Sequence, residues 1–186
     1  MRVLGISGSL RRDSFNGALL RAAAERLPAG VDLVEYEGLR EVPPYDEDVE
    51  RAGSPAAVEA LRESVRGADA VLIATPEYNS SIPGQLKNAL DWVSRPAGRS
   101  VLNGKPAAVV GASTGMFGAV WAQAELRKML GAMGARVIDA ELPVAHAREL
   151  FADGRLELPP ELSRQLEEIL AELVAAAERE SELVAA

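Results

Sequence analysis

Apolar residues along the chain gather in short runs: Val3 to Ile6, Val31 to Tyr36, Ala70 to Ala74, Ala107 to Gly111 and Arg136 to Ile138 read as strands. Between them, apolar positions recur at helical spacing over Asn16 to Leu27, Pro55 to Arg66, Gly84 to Val93 and Ala119 to Met133, and again from Pro160 to about Arg179. Strands that alternate with helices pair in parallel, because each crossover needs a long, right-handed connection. The pattern therefore predicts an α/β fold, a doubly wound five-stranded parallel sheet with helices on both faces. In the last helix Leu162, Leu166, Ile169, Leu170 and Leu173 share one stripe that should cover a sheet face, and Ser181 to Ala186 should fray. The segment EGLREVPPYDEDVERAGSP, residues 37 to 55, follows neither period and reads as a long surface loop. With no repeat and no linker, residues 1 to 186 read as one domain.

In an open parallel sheet, ligands bind beyond the carboxyl ends of the strands, where the strand order reverses. With strand order 2-1-3-4-5, the loops after the first, third and fourth strands line one crevice. They read SGSLRRDSFN (7 to 16), TPEYNSSIPG (75 to 84) and ASTGMFG (112 to 118). The first offers Ser9 and Ser14 hydroxyls, the Arg11 guanidinium, Asn16 and free N–H groups at a helix start, a set suited to a phosphate. Ser14 or Asn16 can equally cap the helix, with the arginines solvated. In the second, Pro76 and Pro83 stiffen the chain, Glu77, Tyr78 and Asn79 offer polar groups and a ring, and the amides of Asn79 and Ser80 can face a flat heterocycle. A rigid turn with an exposed tyrosine is the alternative. The third loop has glycines where backbone can approach a ring edge, and Met116 and Phe117 read equally well as core. Lys105 is followed by Pro106 rather than Ser or Thr, and Gly111, Gly115 and Gly118 miss the dinucleotide spacing, so a monophosphate cofactor fits better than a nucleoside triphosphate or a Rossmann-bound dinucleotide.

Composition narrows the chemistry. At 186 residues and 48% hydrophobic, the chain can bury a full core, and no apolar run approaches the roughly 20 residues that cross a bilayer. The opening MRVLGIS is strand-like rather than a secretory signal, so a soluble, cytoplasmic protein is expected. Zero cysteines exclude disulfides, thiolate metal sites and a cysteine nucleophile, and a single histidine excludes a multi-histidine metal site within one chain. A net charge of -8 argues against nucleic acid as the main partner.

Three motifs, GSLRRDSFN, PEYNSSIPGQLKNALDW and GASTGMFG, give the chain a resemblance to the NADPH-dependent FMN reductase family from residue 2 to about 175. That flavodoxin-like group includes bacterial quinone, chromate and azo-dye reductases. The resemblance implies a flavodoxin-like three-layer sandwich with bound FMN and NADPH or NADH as co-substrate. It places the FMN phosphate on Ser9, Arg11, Ser14, Phe15 and Asn16, and the isoalloxazine on Pro76, Glu77, Tyr78, Asn79 and Ser80. Ser113, Thr114 and Gly115 would close over the ring. Many members carry Gly where this chain has Ser80. The reaction implied is hydride transfer from nicotinamide to FMN, then to a quinone, flavin, azo compound or metal oxyanion. Such transfer needs no catalytic acid or base from the protein and no metal, so His146 reads as surface or interface structure. The rival reading is a flavodoxin-type electron-transfer protein without reductase activity, disfavoured by Arg11. A Ser7 or Ser9 hydrolase with His146 lacks the nucleophile elbow. A homodimer or homotetramer is expected, built on the helices 84 to 93 and 119 to 133 through Trp92, Trp121 and Leu126.

Overall fold

The computed structural model describes residues 1–185. Five elements form the parallel sheet in the expected order, β2-β1-β3-β4-β5, from β1 (Arg2–Ser7), β2 (Asp32–Glu35), β3 (Ala70–Thr75), β4 (Pro106–Ala112) and β5 (Arg136–Val137). β3 and β4 are central and buried along their whole length, so they carry apolar residues on both faces. Their alternation divides the core in two. Leu4, Ile6, Val71, Ile73 and Val109 pack against α3 (Ala56–Arg66), α4 (Gly84–Val93) and α5 (Val120–Ala132). Val3, Leu72, Ala74, Ala108 and Val110 pack against α1 (Phe15–Ala24) and α6 (Pro160–Ala185). Leu166, Ile169, Leu170 and Leu173 form the expected stripe of α6 on that second face. The helix continues to Ala185 instead of ending near Arg179, through most of the segment expected to fray; Ala186 lies outside the described residues.

The structure departs from the sequence reading in three places. Residues 37 to 55 are not a free loop. They hold a 3-10 turn (Gly38–Glu41) and the short α2 (Glu47–Ala52), pinned by one face of α4. Gln85 Nε2 donates to the carbonyls of Leu39 (2.7 Å) and Val42 (2.8 Å), and Asn88 Nδ2 and Trp92 Nε1 both donate to Pro43 O (2.8 Å each). Trp92 is thereby fully buried, as is Leu126, so neither is available to a partner. The fifth strand is split: β5 pairs with Pro106 and Ala107, and a second piece, β6 (Pro143–Val144), pairs with Gly111 and Ala112. At the end of the break the buried Gln123 side chain holds Leu142, accepting from its N–H (3.0 Å) and donating to the carbonyls of Gly118 (3.0 Å) and Leu142 (3.2 Å). Finally, β7 (Phe151–Ala152) and β8 (Arg155–Leu156) form a hairpin whose turn, Asp153-Gly154, has φ of 49° and 79°.

Candidate functional site

The loops after β1, β3 and β4 meet in a crevice of about 310 Å³ at the carboxyl end of the sheet. One end is walled by Ser9, Arg11, Ser14, Phe15 and Asn16, the other by Pro76, Glu77, Tyr78, Ser113 and Thr114. Asn79, Ser80 and Gly115 are not part of its wall.

At the first end the loop is built by small hydroxyls. Gly8 N–H continues the β1 ladder to Ala74 O (2.8 Å), and Ser7 Oγ accepts from Ser9 N–H (3.3 Å). Ser14 is the N-cap of α1, its Oγ accepting from the N–H groups of Asn16 and Gly17 at 3.2 Å each. Capping and ligand binding are therefore not exclusive here. The cap consumes two of the helix-start amides expected to be free, but the Ser14 hydroxyl hydrogen is left to donate. Asn16 is 2% exposed and latches onto β4, Nδ2 donating to Ala112 O and Oδ1 accepting from Ala112 N–H, both at 2.9 Å. The Arg11 guanidinium lies 4.7 Å from the centroid of the Phe15 ring, and has no hydrogen-bond or ion-pair partner among the described residues. Phe15 is in turn held edge-on by Phe151 of the hairpin, 5.1 Å between centroids. Arg21 of α1 donates to Gly154 O (3.1 Å), and Glu25, the C-cap of α1, pairs with Arg155, so the hairpin is fastened to α1 as well.

At the other end, residues 78 to 81 close a two-residue turn. Tyr78 N–H donates to Ser81 O (2.9 Å) and Ser81 N–H to Tyr78 O (3.1 Å), with Asn79 at φ 53° and Ser80 at φ 61°. Both central residues are left-handed, as in a type I′ hairpin turn, where Asn and Gly are favoured. Their own N–H groups find no partner among the described residues. Glu77 is committed elsewhere. Its Oε2 accepts from Trp121 and Ala122 N–H (3.1 Å each) and so caps α5, whose N-cap residue Ala119 has no side chain to do so. Ser81 Oγ donates to Glu125 Oε2 (2.7 Å), a second tie to α5. Tyr78 is exposed, and Met116, Phe117 and Trp121 are exposed beside it rather than core; the Phe117 and Trp121 rings touch at 4.8 Å between centroids.

The third loop is held from β6. Ser113 N–H donates to Val144 O (3.0 Å), Ala147 N–H to Ser113 O (3.0 Å) and His146 N–H to Gly115 O (3.1 Å). Gly118 is required where it stands, because at φ 57° a Cβ would lie 2.3 Å from the carbonyl carbon of Pro143. The His146 side chain is exposed, its Nδ1 4.0 Å from Glu149 Oε1, and takes no part in the crevice wall. Its neighbour Arg148 does, a residue the sequence did not single out. Nothing in AHAREL marks it; the backbone ties of residues 144 to 147 to the third loop bring it there. Among the described residues no group of three or more His, Cys, Asp or Glu side chains is placed to hold a metal ion.

The donor set fits a phosphate monoester joined to a flat ring. Two hydroxyls and the Arg11 guanidinium stand at one end, Arg148 adds a second positive charge to the wall, and unpartnered N–H groups stand beside the other end.

Comparison with known proteins gives the family and agrees with the fold. Residues 1–149 match the model of the family described as NADPH-dependent FMN reductase. The chain is 47% identical over 158 residues to an NAD(P)H-dependent FMN reductase of Pseudomonas aeruginosa, covering 84% of each chain. It is 42% identical over 140 residues to a quinone reductase of Escherichia coli, covering 75% of this chain and 74% of that one. Among solved structures, a flavoenzyme NAD(P)H:acceptor oxidoreductase of Paracoccus denitrificans superposes with a TM-score of 0.82 at 33% identity, over 96% of this chain and 98% of that one.

Proposed function

Because the chain belongs to the NADPH-dependent FMN reductase family, we propose that it is an FMN-dependent NAD(P)H oxidoreductase acting on quinones and related small acceptors. The observation that carries this reading is the convergence of the three polar loops on one crevice, with uncommitted arginine at one end and uncommitted backbone N–H groups beside the other. FMN, when bound, would supply the hydride chemistry that links the nicotinamide to the acceptor.

The chain's own residues bind and orient. Ser9, Ser14 and Arg11 take the phosphate, Arg11 with a planar fork backed by Phe15. Asn16 and Phe15 shape that pocket from beneath. Pro76, Glu77 and Tyr78 frame the ring, with Glu77 acting through α5, and the amides of Asn79 and Ser80 stabilise charge that develops on it. Ser113, Thr114 and Gly115 border its other edge. No side chain is needed as a general acid or base, which suits a crevice whose wall does not include His146.

The reading includes a homodimer or homotetramer in the cytoplasm, where NAD(P)H is supplied. Tyr78, Met116, Phe117 and Trp121, each about half exposed or more, form an apolar rim beside the crevice that a second copy would cover. Of the three residues expected at that contact only Trp121 is exposed. No helix among the described residues is long and apolar enough to cross a membrane.

The test is to load the protein with FMN, mix it anaerobically with NADPH or NADH, and follow the flavin absorbance before adding benzoquinone, free flavin, an azo dye or chromate. Bleaching followed by reoxidation by a quinone is expected. No bleaching by either nucleotide overturns the reductase in favour of an electron-transfer protein.

A further inference from the structure

Arg148 stands in the crevice wall with no role in the reading above, and the contacts on either side of it fix which end of the crevice it serves. On one side Asn16 of α1 is latched to both backbone groups of Ala112, Ser113 follows in the chain, and Ala147 N–H donates to Ser113 O (3.0 Å). On the other, Phe151 meets the Phe15 ring edge-on, 5.1 Å between centroids. Residues 147 and 151 are thus both anchored beside the first turn of α1, and Arg148 leaves the chain between them. It belongs to the end where Ser9, Arg11 and Ser14 stand. Its guanidinium is uncommitted. Arg148 is exposed and makes no hydrogen bond or ion pair among the described residues, and the neighbouring Glu149 lies instead 4.0 Å from His146 Nδ1. Glu77, the one acid among the described residues of the wall, stands at the opposite end and is held by α5.

We propose that Arg148 is a second phosphate-binding residue, forming with Arg11 a two-guanidinium clamp on the FMN phosphate, an inference that rests on the reductase reading above. Charge balance chooses this role. A phosphate monoester carries nearly two negative charges at neutral pH. The start of α1 meets less of that charge than a helix start ordinarily would, because the N–H groups of Asn16 and Gly17 are already taken by Ser14 Oγ. Arg11 supplies one positive charge from the first loop, and Arg148 supplies the other from the segment after β6. Two planar forks can each present paired N–H groups to different phosphate oxygens, which a single arginine cannot do for the whole dianion.

The test compares FMN with riboflavin, which has the same ring and ribityl chain but no phosphate, by fluorescence titration of the full chain freed of flavin. Arg148→Ala should weaken FMN binding about ten- to a hundredfold and leave riboflavin binding within about twofold of the parent. Arg148→Lys keeps the charge without the fork, and its FMN affinity should fall between the two. In the parent, FMN affinity should decline as the pH drops through about 6, where a phosphate monoester takes up its second proton, and the decline should be shallower in Arg148→Ala. The Tm of the flavin-free variant should match the parent's, since the side chain is exposed and unpaired. An equal fall for FMN and riboflavin would put Arg148 on the ring and overturn the assignment. Unchanged FMN affinity in Arg148→Ala would overturn it alone, with the reductase reading intact, whereas a parent that binds no FMN would overturn both.

Discussion

The two ends of the crevice are equally polar and use their polar groups in opposite ways. At the phosphate end the short side chains satisfy nearby backbone, Ser14 over α1 and Asn16 over β4, and the guanidinium of Arg11 is left without a protein partner. At the ring end the charge is spent: Glu77 caps α5 and Glu125 holds Ser81, so that what remains to offer is backbone N–H in a fixed turn. Binding strength should therefore reside in the first end and orientation in the second. Charge-assisted contacts are worth more than neutral ones, whereas a rigid frame acts by keeping its groups where they must be.

The largest expected effect is structural. Asn16→Ala strands the buried N–H and C=O of Ala112, and should lower stability by about 3 kcal/mol and FMN affinity with it, measured by urea unfolding and by flavin titration. Unchanged stability with lost affinity would make Asn16 a ligand and not a latch. Next, Arg11→Ala should weaken FMN binding by roughly ten- to a hundredfold without unfolding the chain, read from flavin fluorescence. If Tyr78→Ala proves costlier to affinity than Arg11→Ala, the contrast between the two ends is reversed. Glu77→Ala removes the α5 cap and should cost about 1 kcal/mol of stability, with turnover at saturating FMN falling more than FMN affinity does. Ser80→Gly relieves a left-handed residue at φ 61° and should stabilise by about 1 kcal/mol, seen as a higher Tm. His146→Asn keeps a residue tolerant of φ 50° and should leave flavin reduction by NADPH within a few-fold; loss of a general acid or base would cost about a hundredfold or more.

Much of this was legible along the chain because it is local. The alternation of apolar runs and amphipathic stretches carried the parallel sheet and the two helix layers, and the three loop motifs carried the family resemblance and, with its flavodoxin-like strand order, the crevice. What was not legible depends on contacts between distant residues. Gln85, Asn88 and Trp92 share a helix face, but that they would capture the carbonyls of residues 39 to 43 depends on where α4 docks. That Glu77 also caps α5 was not legible, because nothing local shows that α5 begins with an alanine in a left-handed conformation. Arg148 is carried into the crevice wall by backbone bonds between residues 113 to 115 and 144 to 147. The hairpin was different. Asp153-Gly154 between short apolar runs is a local turn signal, and it explains how Phe151 comes to support Phe15.

The cap that Glu77 places on α5 from another loop ties two segments into one opening event. With Ser81 fastened to Glu125, residues 77 to 81 and the first turn of α5 cannot loosen separately. The amide protons of Trp121 and Ala122 are then reporters of the ring loop, since each exchanges with solvent only when the Glu77 carboxylate lets go. Deuterium uptake at these two sites should slow on FMN binding in step with uptake at Tyr78 and Ser81, and should outpace that of the central strands β3 and β4, which open only with the whole fold.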